Sequence, residues 1–472
     1  MASAVAQMSA LLRYVVLARL LGPEQLGIAA TLVLTSAFFD FISDTGSDRF
    51  LIQDRHGDEP AVQSLVQLVF VGRGAAVALA LALSSWPIAL FYKTPPLAVG
   101  LCVLALSPLI LGFTHLDNRR SQRDLNFRPE ALCSMVAEGT GLVATVIAAY
   151  LTRNFTAILY GLISRAVIVA VLSHVMAHRP YRLAFAREHA ARLSRFAGPL
   201  MVNGFLLFFA TQGDRALVGR QLGFATLGRY SAVLLLIYYP AAMLMRYMHA
   251  MYLPLLARSR DDPAERSRVG AIVGGQVLML ALVMSAGFAL VAPFAVRLLY
   301  GARFRESALV VALIGILQCS RFLLTFPTVM ALSVGRSGAA LAVNVVRLAA
   351  YPSAIVAGQV LAGLPGVILG FVFGELLAHG AGLTLLNRGF ARPVFSGFHR
   401  LFVFLLASAT IEGWVWMIQN RAFSLSLVLI PFTGLLLIWV TRREKIAIEE
   451  TFAIARRLFG GLSARIRTGG SR

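Results

Sequence analysis

Long apolar stretches follow one another along almost the whole chain. A helix needs about 20 mostly apolar residues to cross the hydrocarbon core of a bilayer, and about fourteen stretches meet that requirement. Because lipid satisfies no backbone N–H or C=O group, stretches this long span a membrane as helices. The sequence therefore predicts an all-α polytopic membrane protein with about fourteen transmembrane helices. Their approximate limits are residues 2–21, 27–45, 61–83, 96–116, 129–151, 155–177, 196–219, 227–253, 269–291, 307–332, 339–361, 365–387, 398–419 and 423–440.

The composition excludes the common soluble classes. Apolar residues make up 58% of the chain and charged residues 14%, against about 45–50% and about 25% in average soluble domains. There are 43 Lys and Arg against 22 Asp and Glu, for a formal charge of +21. Such a charge in a soluble protein would indicate nucleic-acid binding, but here the basic residues lie mainly in gaps between apolar stretches. We therefore predict no nucleic-acid partner.

No motif for a cofactor, a metal or hydrolytic catalysis is evident. Cys102, Cys133 and Cys319 each lie in an apolar stretch without paired spacing, which is typical of small packing residues. A phosphate-binding Walker loop and the HExxH and GxSxG motifs are absent from the sequence. The prediction is a protein that is not an enzyme and needs neither cofactor nor metal.

The distribution of arginine predicts the orientation in the membrane. The densest basic groups lie at residues 119–128 and 179–195, in alternate gaps between stretches. Cytoplasmic loops are enriched in Lys and Arg, so these gaps and both chain termini are expected in the cytoplasm. The first stretch lacks a basic segment before it, so we expect a retained helix and not a signal peptide. The outward gaps, of which 292–306 is the longest, are too short for a catalytic domain.

An internal repeat divides the chain. The pattern R-x-L-G-x-x-x-L-G occurs twice, after the first and the seventh stretch, at Arg19, Gly22 and Gly27 and again at Arg220, Gly223 and Gly228. Glycines end a helix and permit a tight reversal, and parallel six-helix repeats are a transporter architecture. The predicted parts are an N-terminal lobe at 1–178, a basic linker at 179–195, a C-terminal lobe at 196–387, an extra helix pair at 388–440 and a tail at 441–472.

The tail carries apolar residues at helical spacing opposite basic ones. Ile448, Phe452, Ala455 and Phe459 recur on one side, while Arg456 and Arg457 lie on the other. This pattern predicts an amphipathic helix on the surface of anionic membrane lipid.

Seven arginines lie at least four residues from either end of a predicted helix. At a lipid-facing helix centre each costs about 2.5–3.5 kcal/mol, so seven would cost roughly 20 kcal/mol. They must therefore line a wet cavity or pair with acids. The arginines are Arg13, Arg73, Arg165, Arg215, Arg246, Arg321 and Arg347, and the nearby acids are Asp40, Asp44, Glu138, Asp214, Glu375 and Glu412.

Several of these groups have two interpretations. Arg165 can extend toward the interface or pair with Glu138, and Asp214 with Arg215 can serve helix packing. Asp40 and Asp44 are four positions apart, so they either cap a helix end or couple transport to an ion. Glu375 and His379 are also four apart and can form a proton-coupling pair or a buried hydrogen bond.

The stretch Leu17–Gly27 resembles the polysaccharide-transporter family of Wzx-type oligosaccharide flippases, which shares a superfamily with multidrug extrusion proteins. Residues 214–230 and 254–258 are similar to the same family. The resemblance implies two six-helix lobes around a central cationic cavity in the bacterial cytoplasmic membrane. It also implies that an undecaprenyl-diphosphate-linked oligosaccharide moves to the outer leaflet by alternating access. Polysaccharide polymerase and export machinery are further expected partners.

A diphosphate that crosses the bilayer needs bidentate cationic donors. We therefore expect Arg13, Arg73, Arg246 and Arg321 to bind substrate, with Arg347 as a fifth candidate. A multidrug or organic-cation antiporter of the same superfamily is the nearest alternative, and its cavity should be acidic or aromatic. A membrane-embedded glycosyltransferase or polymerase should carry a large outward loop. A further alternative is a non-catalytic scaffold of an exopolysaccharide complex. The buried arginines argue against it, because a scaffold has no need of them.

Overall fold

The computed structural model describes residues 2–361, 363–387, 396–420 and 426–450, and all regular structure in these ranges is helical. The all-α class is therefore confirmed. The helices are α1 Ala2–Leu21, α2 Pro23–Ile42, α3 Ser47–Gln53, α4 Pro60–Phe91, α5 Pro96–Leu104, α6 Leu106–Gly112, α7 Asp117–Arg120, α8 Arg128–Thr152, α9 Ala157–Val175, α10 Arg187–Arg258, α11 Pro263–Leu299, α12 Ala308–Leu323, α13 Thr325–Ser333, α14 Ser337–Arg347, α15 Ala350–Val360, α16 Leu364–Asn387, α17 Ser396–Asn420 and α18 Ser426–Arg443.

The polytopic character follows from helix length and hydropathy. Within the described ranges, ten helices are long and apolar enough to cross a membrane, or eleven if the bent pair Pro96–Gly112 and Asp117–Asp124 forms one span. One of the ten is α10, whose 72 residues contain a non-helical position at Gly223. At 1.5 Å per residue, its two segments each exceed the roughly 30 Å core. The figure of fourteen transmembrane helices stays a prediction.

The chain packs as two compact units. Unit 1 comprises Met1–Leu236 with Ala295–Arg305, and unit 2 comprises Ile237–Phe294 with Glu306–Arg472. This partition by packing differs from the partition by sequence repeat, so the lobe boundaries remain predictions. The second half of the predicted linker is helical, because α10 begins at Arg187. The tail positions Phe452, Ala455 and Phe459, with Arg456 and Arg457, lie outside the described residues.

The two copies of the repeated pattern adopt the same backbone turn. Gly22 has φ 85° and ψ 175° between α1 and α2, and Gly223 has φ 80° and ψ 171° inside α10. Side chains disfavour a positive φ, whereas glycine adopts it freely. In the first copy Pro23 then starts α2, at the helix position where proline is most favourable. The sequence repeat is therefore a repeat of local structure.

The same two copies also pack against each other within unit 1. A Cβ atom on Gly27 would overlap the carbonyl oxygen of Phe224, and one on Gly228 would overlap the carbonyl oxygen of Pro23. Each glycine thus lies on the residue that follows the turn of the other copy. The contact is reciprocal, as expected for two equivalent turns related by a local two-fold axis.

Candidate functional site

The first arginine cluster joins three helices of unit 1 around one carboxylate. Arg13 of α1 donates to Glu138 Oε2 of α8 at 2.6 Å, and Arg165 of α9 donates to Oε1 at 2.6 Å. The side chains of Arg13 and Glu138 are only 8% and 6% exposed, whereas that of Arg165 is 35% exposed. One edge of this cluster is therefore open.

The second arginine cluster repeats that arrangement in unit 2. Glu375 of α16 accepts from Arg321 of α12 at 3.0 Å and from Arg347 of α14 at 2.6 Å, both through Oε1. The three side chains are 4–8% exposed. His379, one turn beyond Glu375, is also buried, but among the described residues the partners of Glu375 are the two arginines. The predicted local pair of Glu375 with His379 is thus replaced by contacts between helices.

These ion pairs explain how arginine side chains can be buried inside the two units. A buried charge is tolerated only when it is paired and hydrogen-bonded, and each cluster supplies one carboxylate to two guanidinium groups. Three of the five arginines expected to bind substrate, Arg13, Arg321 and Arg347, are buried in these clusters. Their role in binding substrate stays a prediction.

The other two expected arginines are more accessible. Arg73 of α4 is 22% exposed and donates to Ser43 Oγ at 3.0 Å and to the carbonyl oxygen of Asp40 at 3.1 Å. The carboxylate of Asp40 lies 3.8 Å from the same guanidinium. Arg246 is exposed on α10 in unit 2. Both side chains can be reached by a ligand.

Asp44, the other ion-coupling candidate near the end of α2, organises a turn. Its carboxylate accepts from the backbone N–H of Gly46 at 2.9 Å and from Arg49 at 3.0 Å. These bonds hold the segment that leads into α3. The predicted ion-coupling role of Asp40, Asp44, Glu375 and His379 stays a prediction.

Asp214 and Arg215 lie next to each other in the buried part of α10. Tyr230 is fully buried and its hydroxyl donates to Asp214 Oδ2 at 2.6 Å. Arg215, which is 6% exposed, donates to Gln212. The first bond crosses the break at Gly223 and ties together the two segments of α10, which favours the packing interpretation of this pair.

The equivalent arginines of the repeat both reach the end of a helix. Arg19 donates through Nε to the carbonyl oxygen of Leu299 at 2.8 Å, and also to that of Leu298, at the end of α11. Arg220 lies 5.2 Å from the ring centroid of Phe91, the last residue of α4. Cations are favourable at helix C-termini. The first copy therefore caps a helix from the second half of the chain, and the second copy contacts one from the first half.

The sharing of acids between arginines was missed by the sequence reasoning. Arg13 and Glu138 are 125 positions apart, and Arg321 and Glu375 are 54 apart, so no local spacing signals either contact. Arg400, which the sequence did not single out, is buried and donates to Glu444 through two nitrogens, Nε at 2.8 Å and Nη2 at 2.9 Å. The usable signal was the excess of membrane arginines over acids, which required sharing.

Solved structures identify the fold. The chain resembles "Lipid II flippase MurJ, inward closed conformation" with a TM-score of 0.64 and 13% identity, over 93% of this chain and 97% of that chain. It resembles an inward-facing multidrug resistance MATE family transporter of the MOP superfamily with a TM-score of 0.61 and 14% identity, over 81% and 94%. The fold is that of a multi-pass membrane transporter.

Sequence comparison identifies the family. Residues 16–309 match the family described as "Polysaccharide biosynthesis protein", and the chain belongs to that family. The succinoglycan biosynthesis transport protein ExoT of Rhizobium meliloti (strain 1021) is 28% identical over 66% of this chain. The lipopolysaccharide biosynthesis protein WzxC of Escherichia coli (strain K12) is 24% identical over 78% of this chain. The matched regions span 62% of ExoT and 75% of WzxC.

Proposed function

We propose that this protein is a flippase for undecaprenyl-diphosphate-linked oligosaccharides in the bacterial cytoplasmic membrane. It would act in the assembly of an exopolysaccharide or O-antigen-type polysaccharide. Both termini would lie in the cytoplasm. Family membership and the transporter fold support the class of activity, and the named relatives support a polysaccharide precursor as cargo.

The observation that carries the proposal is accessible arginine on membrane-spanning helices of both units, at Arg73 and Arg246. A guanidinium group offers two parallel donors that match phosphate oxygens. It also stays charged at any physiological pH. Such groups can neutralise a diphosphate at a depth where water is scarce, while the polyprenyl chain remains in lipid.

Dispersed arginines suit transport better than one tight cluster. A substrate held by many donors at one place would be trapped, because each added charge-assisted hydrogen bond strengthens binding. Dispersed substrate contacts would let the diphosphate leave each guanidinium group during alternating access. The buried clusters would then hold the helices of each unit together, and Arg73 and Arg246 would contact the substrate directly.

The test is transport by the reconstituted full chain. Proteoliposomes would receive a fluorescent lipid-linked oligosaccharide in one leaflet, and its appearance in the other leaflet would be followed by quenching. We expect Arg246→Gln to slow transport at least tenfold. Arg246→Lys should slow it less, since lysine keeps the positive charge but not the two parallel N–H donors.

Arg258→Gln is the matched control, because Arg258 is an exposed arginine at the end of the same helix. This control should transport as the wild type does. Equal rates for Arg246→Gln and Arg258→Gln would contradict a cationic substrate path at Arg246. Expulsion of cationic dyes without movement of lipid-linked sugar would favour the antiporter alternative.

A further inference from the structure

A cavity of about 210 Å³ lies inside unit 1, among α2, α4, α6 and α9. Its charged lining consists of three arginines and one acid, namely Arg73, Arg119, Arg165 and Asp40. The rest of the lining is mostly apolar, from side chains such as Phe70, Val77, Leu111 and Val169. Ligand pockets are usually apolar with a few convergent polar groups, and guanidinium groups are strong donors to phosphate oxygens.

Each arginine of this cavity is anchored on one side and exposed on another. Arg73 is held by Ser43, Arg165 by Glu138 and Arg119 by Glu130. The exposed fractions of the three side chains are 22%, 35% and 39%. A guanidinium group has five N–H donors, so a group anchored by one or two of them still presents others to a ligand. The anchors therefore orient these arginines before any ligand arrives.

The size of the cavity limits what it can hold. Clefts for drug-sized ligands measure about 300–1,000 Å³, so about 210 Å³ suits a phosphate or diphosphate group and not an oligosaccharide. Two glycines keep it narrow, since a Cβ on Gly74 would lie 2.7 Å from the Cα of Gly112. The helices α4 and α6 thus touch through their backbones at one wall.

The carboxylate of Asp40 would repel an anion in this cavity and compete with it for Arg73. Its carboxylate lies 3.8 Å from the guanidinium of Arg73 and is 56% exposed. At that distance the pair is weak, so a phosphate oxygen with better geometry can take its place on Arg73. Three cationic groups against one carboxylate leave the cavity net positive even when Asp40 is ionised.

We propose that this cavity is an initial binding site for the diphosphate of the lipid-linked substrate. It is formed by Arg73, Arg165 and Arg119, with Asp40 as the competing group. The inference rests on the proposed function. It adds a substrate site that lies wholly in unit 1 and does not include Arg246. Arg119 belongs to the basic group at 119–128 that the sequence predicts to be cytoplasmic. The site would therefore engage substrate from the inner leaflet before the chain changes conformation.

The experiment measures binding of labelled inorganic pyrophosphate and of farnesyl diphosphate to the full chain in phosphatidylcholine nanodiscs. We expect Arg73→Gln and Arg165→Gln each to weaken binding of both probes at least tenfold. Asp40→Asn should tighten it severalfold by removing the competitor. The matched control is Arg153→Gln, an arginine of unit 1 outside the cavity that stacks on Tyr150, and it should bind as the wild type does.

Three results would overturn the proposal. One is unchanged binding in Arg73→Gln, in a variant that unfolds at the same temperature as the wild type. Another is weaker binding in Asp40→Asn. The third is loss of probe binding when phosphatidylglycerol replaces part of the phosphatidylcholine, because the cavity would then hold an ordinary lipid headgroup.

Parallel transport assays separate the two claims. If the wild type moves lipid-linked oligosaccharide but the variants bind the probes normally, the cavity assignment fails and the flippase stands. If the probes bind at Arg73 and Arg165 but no lipid-linked sugar moves, the proposed function fails and the anion site stands.

Discussion

The two arginine clusters have the same composition but differ in access to solvent. In the second cluster, around Glu375, all three side chains are 4–8% exposed. In the first, around Glu138, Arg165 is 35% exposed and also lines a cavity. A cluster with an open edge can meet a ligand as it stands, whereas a closed cluster must first open. Similar electrostatics therefore serve packing in unit 2 and, by our proposal, both packing and binding in unit 1.

The charges of the two clusters also occupy different helices. In the first half of the chain the acid lies on the fifth predicted stretch and an arginine, Arg165, on the sixth. In the second half the arginine, Arg347, lies on the fifth stretch and the acid, Glu375, on the sixth. The halves have exchanged acid and base while keeping a bond between the same pair of helices. The two halves therefore share an ion pair between the fifth and sixth stretches, but not the sign of the charge on each stretch.

A third carboxylate bonded by two arginines lies on the surface, although one of them, Arg120, also donates to Asp117. Asp58 accepts from Arg120 and from Arg179 at 3.0 Å each, and its side chain is 63% exposed. The carboxylates of the three groups are thus 4%, 6% and 63% exposed. Removing a carboxylate should lower the stability of the protein more when the arginines that remain are more deeply buried.

The largest effect is expected for Glu375→Gln. This change removes the carboxylate that the buried Arg321 and Arg347 share, and breaking a buried pair costs about 3–5 kcal/mol. Thermal unfolding of the purified protein in detergent should show a strong fall in Tm. Glu412→Gln, the same chemical change elsewhere in unit 2, is the matched control and should change Tm little. Equal Tm values for the two variants would show that the second cluster does not stabilise unit 2.

Glu138→Gln should be less harmful. Arg165 can turn to water through the open edge of the first cluster, so only Arg13 stays buried without an ionised partner. We expect a loss of about 2 kcal/mol, in the range for one hydrogen bond to a charged group. The same unfolding assay measures it, and a loss as large as that of Glu375→Gln would contradict the difference between the clusters.

Substitutions of one arginine in each cluster separate a role in stability from a role in transport. Arg165→Gln should cost below about 1 kcal/mol, as for a partly exposed ion pair. Arg347→Gln should cost more, because it removes one of two buried cations from Glu375. Transport should show the reverse order if Arg165 binds substrate, with the greater loss of rate in Arg165→Gln. Parallel losses in stability and transport would indicate that both arginines are purely structural.

The surface group should give the smallest effect and a defined pH dependence. The hydrogen bond from Arg120 lowers the pKa of Asp58. A carboxyl group with a folded pKa below its unfolded value of about 3.9 stabilises the fold above that value. This stabilisation is lost as the pH falls through the folded pKa. Asp58→Asn should therefore lower Tm slightly at pH 6 and equal the wild type near pH 2; a difference that grows toward low pH would contradict this.

The helices could be predicted from the sequence, because hydropathy and helix-ending glycines are local signals. Gly22 and Gly223 marked real turns at equivalent places. The extent of α10 could not be predicted, since its break is confined to one residue and hydropathy suggested a gap at 220–226. The need to pair membrane arginines was predictable from the cost of burying charge. The pairing of Arg165 with Glu138 was one of the interpretations from sequence and is present in the structure. The partner of Arg13 was not predictable, because packing brings it to Glu138 across 125 positions.

Local spacing also misdirected one interpretation. Glu375 and His379 are four positions apart on α16, which favours a contact along the helix. In the folded chain, Glu375 is instead held by Arg321 and Arg347 from two other helices. A buried carboxylate gains more from two guanidinium cations than from one imidazole, and sequence alone did not show that those cations were near.

The most direct test of the account is the initial rate at which wild-type proteoliposomes transfer a fluorescent undecaprenyl-diphosphate-linked oligosaccharide between leaflets. We predict a rate at least tenfold above that of protein-free vesicles, and a rate near the protein-free value when both Arg73 and Arg246 are replaced by glutamine. A wild-type rate equal to that of protein-free vesicles would contradict it.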